Sequence, residues 1–484
     1  MKRIIEWIEE RPLIFLSGLI ILNLIIRFSQ ISNSSIWQDE AYTITESLKS
    51  VNEIIYDSSV DQNPPLYFIL IHFWVKLFGI SELGVRSFSI FFNVLATIVL
   101  FLFARKHFNI TTAIIATILF SFSELQIYFS LEARAYQLIA FLTVLSFFTF
   151  TSLMEKPSYK SAILTGILNA LLIYAHFITC FIVAVQFSFG LFYWFTRGNK
   201  KVIPMVILST IATILLFAPW IPNVLSNLPK EGIYWLQKPT FYNLKGLFIA
   251  FSNGKIMTVM VALLLSTSIV LLTKEYLKKK ILERKHYDFI LLLAWFMMPV
   301  ILDYAVAFIT PVFLIKYLLY SSIGMYLLVG FCLNELTLKE SSKKIIMVGV
   351  IVLFIVSGKL KVEKTEDWKT AVSFIKTNAS LEDITYLTDY FIYMPFSYYY
   401  NRKIFEEVKT TPEALIKHRV YPVSELTQEM VNSYLPFKKI FLVESHVLNQ
   451  NSERTPLKVL EKNFSYVSKK EFGDIAVTIF EERK

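Results

Sequence analysis

Apolar runs long enough to cross a hydrocarbon core of roughly 30 Å recur along the chain up to about residue 358. Taken in order, they predict about eleven membrane-spanning helices. These lie near residues 12–31, 85–105, 110–129, 135–154, 160–176, 177–196, 202–222, 255–273, 288–309, 316–334 and 343–358. The first run starts like a signal peptide, but it is too long and no small-residue cleavage pattern follows, so it reads as a retained helix. Two other stretches suit the membrane interface. Leu66–Phe78 is too short to span and mixes aromatics with Lys76, and the loop 223–254 carries Tyr234, Trp235 and Tyr242. Beyond residue 360 the pattern changes. A helical period sets Trp368, Val372, Phe374 and Ile375 as apolar positions, and strand-like runs follow at 384–387, 439–444 and 474–482. The expected fold is an all-α polytopic membrane protein with a small C-terminal α/β domain. The expected division is 1–358, containing a functional first polar loop at 32–86, and 359–484.

Composition and charge narrow the class. At 55% hydrophobic and 16% aromatic residues, the chain is excluded from the ordinary soluble proteins. A formal charge of +10 is not a nucleic-acid signal here, because the basic residues gather in alternate short loops. Arg11, Arg105 and Lys106, Lys156 and Lys160, Arg197 and Lys200, the run 274–287, and Lys343 and Lys344 all fall on one side. That side is expected to be cytoplasmic, which puts the first polar loop and the C-terminal domain outside a cell membrane. Cys180 and Cys332 lie inside apolar segments, form no zinc spacing, and read as packing residues.

The polar residues expected at the outer face come from distant parts of the chain. The first polar loop holds Asp39, Glu40, Asp61 and Arg86; the second holds Glu132, Arg134 and Tyr136; His176, Lys316 and Tyr317 border later spans. Acids and bases at a membrane boundary are costly to bury and therefore candidates for function. A lipid-linked phosphate needs the cations that Arg and Lys supply, and sugar transfer needs a carboxylate to take a proton from the acceptor. Plainer roles stand beside these. Arg86 and Lys316 suit snorkelling helix ends, Pro64 and Pro65 a turn, His176 an ordinary packed ring, and Glu132 with Arg134 an ion pair. A flippase of lipid-linked glycans is the alternative in a transporter class, and a sensor or scaffold another. The chain shows neither the repeated halves nor the mid-membrane charges of many transporters.

The motifs DQNPPLYF (61–68), WVKLFG (74–79), SELGVR (81–86) and EARAY (132–136) resemble the bacterial glycosyltransferase family 39 group. That group includes relatives of dolichyl-phosphate-mannose protein mannosyltransferases and of the lipid A aminoarabinose transferase. The likeness covers roughly residues 30–240, with a looser echo at PVFLIKY (311–317). It implies a GT-C fold and transfer of a sugar from a polyprenyl-phosphate donor, usually with inversion, to a glycan, lipid or protein acceptor. It also implies Asp39 as general base, with Glu40 and Asp61 beside it in the catalytic loop. Arg86, Glu132, Arg134, Tyr136, His176, Lys316 and Tyr317 then become substrate-binding residues, with no metal and no cofactor beyond the donor. Two positions depart from the family pattern. Asn63 stands where a His often precedes the Pro-Pro pair, and Lys316 where an Arg is common, keeping the charge but not the bidentate fork.

Overall fold

The computed structural model describes residue 8 and residues 10–61, 63–227, 238–433, 437–445 and 455–482. Their contacts form two compact units. The first contains the chain up to Ser29, Ile55–Leu70 and Arg86–Val362; the second contains Gln30–Ile54, Ile71–Val85 and the chain from Glu363.

Helices dominate. In chain order they are α1 (Pro12–Phe28), α2 (Gln38–Leu48), α3 (Val51–Val60), α4 (Leu66–Phe78), α5 (Glu82–His107) and α6 (Ile110–Phe122). Then come α7 (Glu124–Ser130), α8 (Tyr136–Glu155), α9 (Tyr159–Ala175), α10 (Cys180–Arg197) and α11 (Val202–Phe217). The series continues with α12 (Phe241–Phe251), α13 (Lys255–Lys279), α14 (Arg284–Val306), α15 (Leu319–Glu335) and α16 (Glu340–Ser357). A helix occupies every expected span. Among the described residues, seven are long and apolar enough to cross a membrane, or eight if α6 and α7, bent by 57°, form one span. The helices α1 and α9 have 17 residues each and fall short of that length, so the figure of about eleven is not carried by length and hydropathy alone. The expected interfacial stretch at 66–78 is the helix α4, with Phe73, Leu77 and Phe78 exposed. In the other one, Tyr242 is exposed on α12, and Tyr234 and Trp235 lie outside the described residues.

Side-chain amides hold the first unit together. Asn23 donates to Asn93 at 3.2 Å, Asn93 to Gln137 at 2.9 Å, Gln137 to Gln126 at 3.1 Å, and Gln126 to Ser322 at 3.2 Å. This buried chain links α1, α5, α8, α7 and α15. A closed triangle of Ser146, Asn169 and Gln186, with bonds of 2.6–2.8 Å, does the same for α8, α9 and α10. Ser123 explains the break between α6 and α7: its extended backbone ends one helix, and its hydroxyl caps Gln126 N–H to start the next. Arg27 is fully buried and donates to the Ser121 carbonyl at 3.4 Å, in the last turn of α6, where the helix dipole is negative. At Gly324 a Cβ would lie 2.9 Å from Phe296 N, so α14 and α15 approach closely only because that position has no side chain.

The second unit is an α/β layer. Its helix α17 (Trp368–Asn378) precedes β1 (Ile384–Thr388) and α18 (Tyr393–Tyr400), and the remaining strands are β2 (Val420–Val423), β3 (Lys439–Glu444), β4 (Phe464–Phe472) and β5 (Ile475–Glu482). The sheet order is β2-β1-β3-β5-β4. β1 runs parallel to β2 and β3, whereas β5 is antiparallel to both β3 and β4. Alternation divides the central strands between two cores. Leu387, Phe441, Val443 and Val477 pack with Trp368 and Val372, and Tyr386, Leu442 and Phe480 pack with Leu460 on the other face. The three expected strands are β1, β3 and β5; β2 and β4 went unpredicted. Both are edge strands. Pro422 interrupts one, and the other is exposed at all but its two end positions, so neither shows the alternation that marks a half-buried strand.

Two parts of the first polar loop, up to Ile54 and Ile71–Val85, are built into this unit, and Ile55–Leu70 belongs to the first. Ser35 donates to Asp367 at 3.2 Å and accepts from Lys369 N–H at 3.1 Å. The Tyr399 hydroxyl accepts from Ile36 N–H at 2.8 Å and donates to Glu82 at 3.0 Å, and Tyr398 donates to the Ile80 carbonyl at 2.9 Å. Behind these contacts the β4–β5 turn grips the chain entering α17: Asp474 N–H donates to the Thr365 carbonyl at 2.9 Å, and Gly473 has φ +64°. A Cβ at Gly473 would fall 1.5 Å from the Thr365 oxygen. Gly473→Ala is therefore expected to destabilise this unit by about 2 kcal/mol or more, from left-handed strain plus the clash. Limited proteolysis of the full chain should show faster cutting beyond residue 363, and unchanged cutting would refute this account.

Candidate active site

The candidate residues divide between the units. In the first, α7 ends at Ser130 and a short turn reverses the chain before α8, with Arg134 N–H donating to the Glu132 carbonyl at 2.9 Å. Ser89, on α5 less than one turn beyond Arg86, fixes that turn from outside by donating to the Glu132 carbonyl at 2.5 Å. Arg86 and Glu132 are buried; Arg134 is half-buried. A narrow cleft opens beside the turn, walled by Asn63, Pro64, Tyr67 and Phe68 on one side and by Arg134, Tyr136 and His176 on the other. Tyr67 keeps its wall in place by an edge contact with Phe88, ring centres 5.5 Å apart.

His176 ends α9 in an extended conformation and begins the link to α10. Its Nδ1 accepts the Ile178 N–H at 3.4 Å, which leaves the ring proton on Nε2. The Tyr317 ring lies 4.7 Å from the imidazole, and the Lys316 ammonium sits 5.7 Å from the centre of the Tyr317 ring. Desolvation, with the Arg134 and Lys316 cations added, pushes His176 down to about 3. The imidazole is thus a neutral N–H donor among cations. Arg134, Tyr136, His176, Lys316 and Tyr317 form one neighbourhood. Asp61 stands next to it, accepting from Asn63 at 2.9 Å, and Asn227 braces the same loop by donating to the Ser59 carbonyl at 2.6 Å.

In the second unit, Asp39 and Glu40 occupy the first turn of α2, where the helix dipole favours negative charge. Their surroundings differ. Asp39 is half-buried, whereas Glu40 is fully buried and accepts from Lys364 at 3.2 Å. Sequence reasoning missed Lys364, Tyr399, Arg27 and Asn227. A lysine in the charged run KVEKTEDW and a tyrosine in a run of three carry no periodic signal that marks them. Arg27 was detectable as the one base inside the first apolar run. Among the described residues no group of three or more His, Cys, Asp or Glu side chains is placed to hold a metal ion.

Because its pKa lies below that of an unfolded His, His176 lets the unfolded chain bind more protons, so its contribution to stability is full at neutral pH and lost as pH falls from about 6.5 towards 3. Thermal unfolding in detergent between pH 7.5 and pH 5 should show a shallower loss for His176→Gln than for the native protein. Parallel curves would show that the imidazole is not held neutral.

Residues 62–222 match the family model for dolichyl-phosphate-mannose-protein mannosyltransferases, a segment that contains Asn63, Arg134, Tyr136 and His176. No curated protein sequence matches the chain at a significant level. Among solved structures, ArnT from Cupriavidus metallidurans bound to undecaprenyl phosphate superposes with a TM-score of 0.59 at 11% identity, covering 96% of this chain and 98% of that one. Its apo state gives 0.62 at 11% identity, covering 96% and 97%. The archaeal oligosaccharyltransferase AglB from Archaeoglobus fulgidus, in complex with an inhibitory peptide and a dolichol-phosphate, gives 0.57 at 11% identity, covering 99% and 75%. With its bundle of apolar helices and its small C-terminal sheet, the chain has the GT-C fold, which it shares with ArnT and AglB.

Proposed function

We propose that the protein is a membrane glycosyltransferase that moves a sugar from a polyprenyl-phosphate carrier to an acceptor hydroxyl at the outer face of the cell membrane. The observation that carries this reading is the cationic neighbourhood of Arg134 and Lys316 around a neutral, N–H-donating His176, in a loop region bordering apolar helices. Such a site suits a phosphate monoester leaving group attached to a lipid. Charge grows on that phosphate as the bond to the sugar breaks, and fixed donors stabilise it without reorganisation. The fold of ArnT bound to undecaprenyl phosphate and the family match over 62–222 support the same class of donor.

Asp39 takes the proton of the acceptor hydroxyl. The oxygen attacks the anomeric carbon, the carbon–oxygen bond to phosphate breaks, and polyprenyl phosphate leaves with inversion at the sugar. Arg134 and Lys316 hold the departing charge, with the His176 Nε2–H as a neutral donor. Ser89 fixes the turn that carries Arg134 by donating to the Glu132 carbonyl, and Arg86 and Glu132 are buried beside it in sequence. Asp61 orders the Asn63 wall.

The test offers the purified protein in lipid a panel of polyprenyl-phosphate sugars with an envelope extract as acceptor. Asp39→Asn is expected to lose transfer by about 100-fold or more while binding donor as before. Arg134→Lys should raise KM for the donor, because the planar fork is lost although the charge remains. Transfer undiminished in Asp39→Asn would move the base elsewhere. Absence of transfer from every donor would overturn the enzyme reading.

A further inference from the structure

The basic run 274–287 takes no part in the proposed transfer. It joins α13 to α14 through residues 280–283, and its charges are unequally committed. Glu275 accepts from Lys279 at 2.8 Å and from Lys285 at 2.6 Å, Glu283 accepts from Lys279 at 2.6 Å, and Asp288 lies 3.6 Å from the Arg284 Nε. Every acid between residues 274 and 288 is thus engaged by a base of the same stretch. Lys274, Lys278 and Lys280 are exposed and make no ion pair among the described residues. Positive residues at a helix end serve to hold it on the cytoplasmic side, but that role needs no groove beside them. Here there is one. α13 and α14 each pack on α15, and between their basic ends lies a groove of about 200 Å³. Two cross-links hold the helices at this spacing: the Lys285–Glu275 ion pair, and the His286 Nε2–H donated to the Leu272 carbonyl at 3.2 Å. Ile269, Leu272, Tyr276, Leu282, Phe289 and Ile290 line the groove. On α13 the lining positions 269, 272, 273 and 276 share one stripe at helical spacing, and Lys280, four residues past Tyr276, ends that stripe. Lys274 and Lys278 belong to the other face of the same helix. Leu277 and Ile281, both exposed, bracket Lys278, Lys279 and Lys280, a mixture of apolar and basic side chains suited to the headgroup boundary.

We propose that this groove holds one acyl chain of an anionic diacyl phospholipid, with its phosphate on Lys280 and with Lys274 and Lys278 adding to the attraction. Both halves of such a molecule are matched. A zwitterionic phospholipid brings no net charge to the three ammonium groups, and a soluble phosphate brings no chain to the groove. Each lysine near the headgroup strengthens binding by roughly fivefold. That attraction decays within a Debye length, so salt weakens it, whereas the apolar contact of the chain persists. The site lies on the first unit alone and stands apart from the transferase reading.

The test places the full-length protein in phosphatidylcholine vesicles that carry a small fraction of a photoreactive lipid, with a diazirine on one acyl chain. The probe is either phosphatidylglycerol or phosphatidylcholine, and the labelled peptides are mapped by mass spectrometry. Phosphatidylglycerol should label the peptides holding residues 269–276 and 282–290 about tenfold more than phosphatidylcholine at the same fraction. Raising salt from about 0.1 M to about 0.5 M should remove most of that excess. Lys280→Gln should lower the phosphatidylglycerol signal roughly fivefold, and the triple variant Lys274→Gln/Lys278→Gln/Lys280→Gln should bring it close to that of phosphatidylcholine. Phosphatidylcholine labelling should stay the same in both variants. Equal labelling by the two lipids overturns the proposal, as does an excess that survives high salt or the Lys280→Gln change. Labelling confined to other peptides overturns it too. An excess abolished by an equal fraction of polyprenyl phosphate assigns the groove to the donor lipid and overturns it likewise. Should the triple variant fail to insert, Lys280→Gln and the salt series on the native protein decide by themselves.

Discussion

A carboxylate with no exposed surface is too costly to leave unpaired, and much of the second unit can be understood as meeting that demand for Glu40. The partner ammonium comes from Lys364, more than 300 residues away. Loop 30–54 therefore shares one compact unit with the chain beyond Glu363. The other clasps obey the same logic at lower stakes. Ser35 and Asp367 satisfy one another and cap α17, and Tyr399 spends both capacities of its hydroxyl on the loop backbone and on Glu82. Burial, reinforced by the Glu82 carboxylate, pushes the Tyr399 phenol up, so it remains a protonated donor under all physiological conditions.

The bundle faces a different problem. Between helices that are equally at home against lipid tails, apolar burial discriminates little, and register must come from packing and polar contacts. The chain Asn23–Asn93–Gln137–Gln126–Ser322 supplies a set of partners available in one register only. It passes through Gln137, the residue after Tyr136, so the network that aligns α1, α5 and α15 also fixes the start of α8 and the turn that carries Arg134. Arg27 ties the end of α6 to α1 by placing positive charge on helix carbonyls. Its cost inside an apolar bundle is offset by that helix terminus.

Periodicity located the helices because each bundle helix is apolar over most of its length, a signal that survives without knowledge of tertiary partners. It also located β1, β3 and β5, which are buried on both faces and read as continuous apolar runs. It failed for β2, only four residues long and interrupted by Pro422, and for β4, which is exposed at all but its two ends. Of the candidate residues, legible as types near membrane boundaries, Arg134, Tyr136, His176, Lys316 and Tyr317 lie in one neighbourhood of the first unit, whereas Asp39 and Glu40 belong to the second. The contacts that brace the segments carrying the candidates were not legible. Ser89, Asn227 and Lys364 act through single hydrogen bonds or ion pairs made across long sequence separations, and such contacts leave no trace in local composition.

The sequence presents Asp39 and Glu40 as one acidic motif, with Asp39 expected as the base and Glu40 beside it. Helical geometry separates them. A half-buried carboxylate retains access to a substrate and to water, which a base needs in order to take up and release a proton; a fully buried, ion-paired carboxylate has neither. The two acids therefore stand in unequal surroundings along one helix turn: Asp39 is half-buried, and Glu40 has no exposed surface and lies beside Lys364.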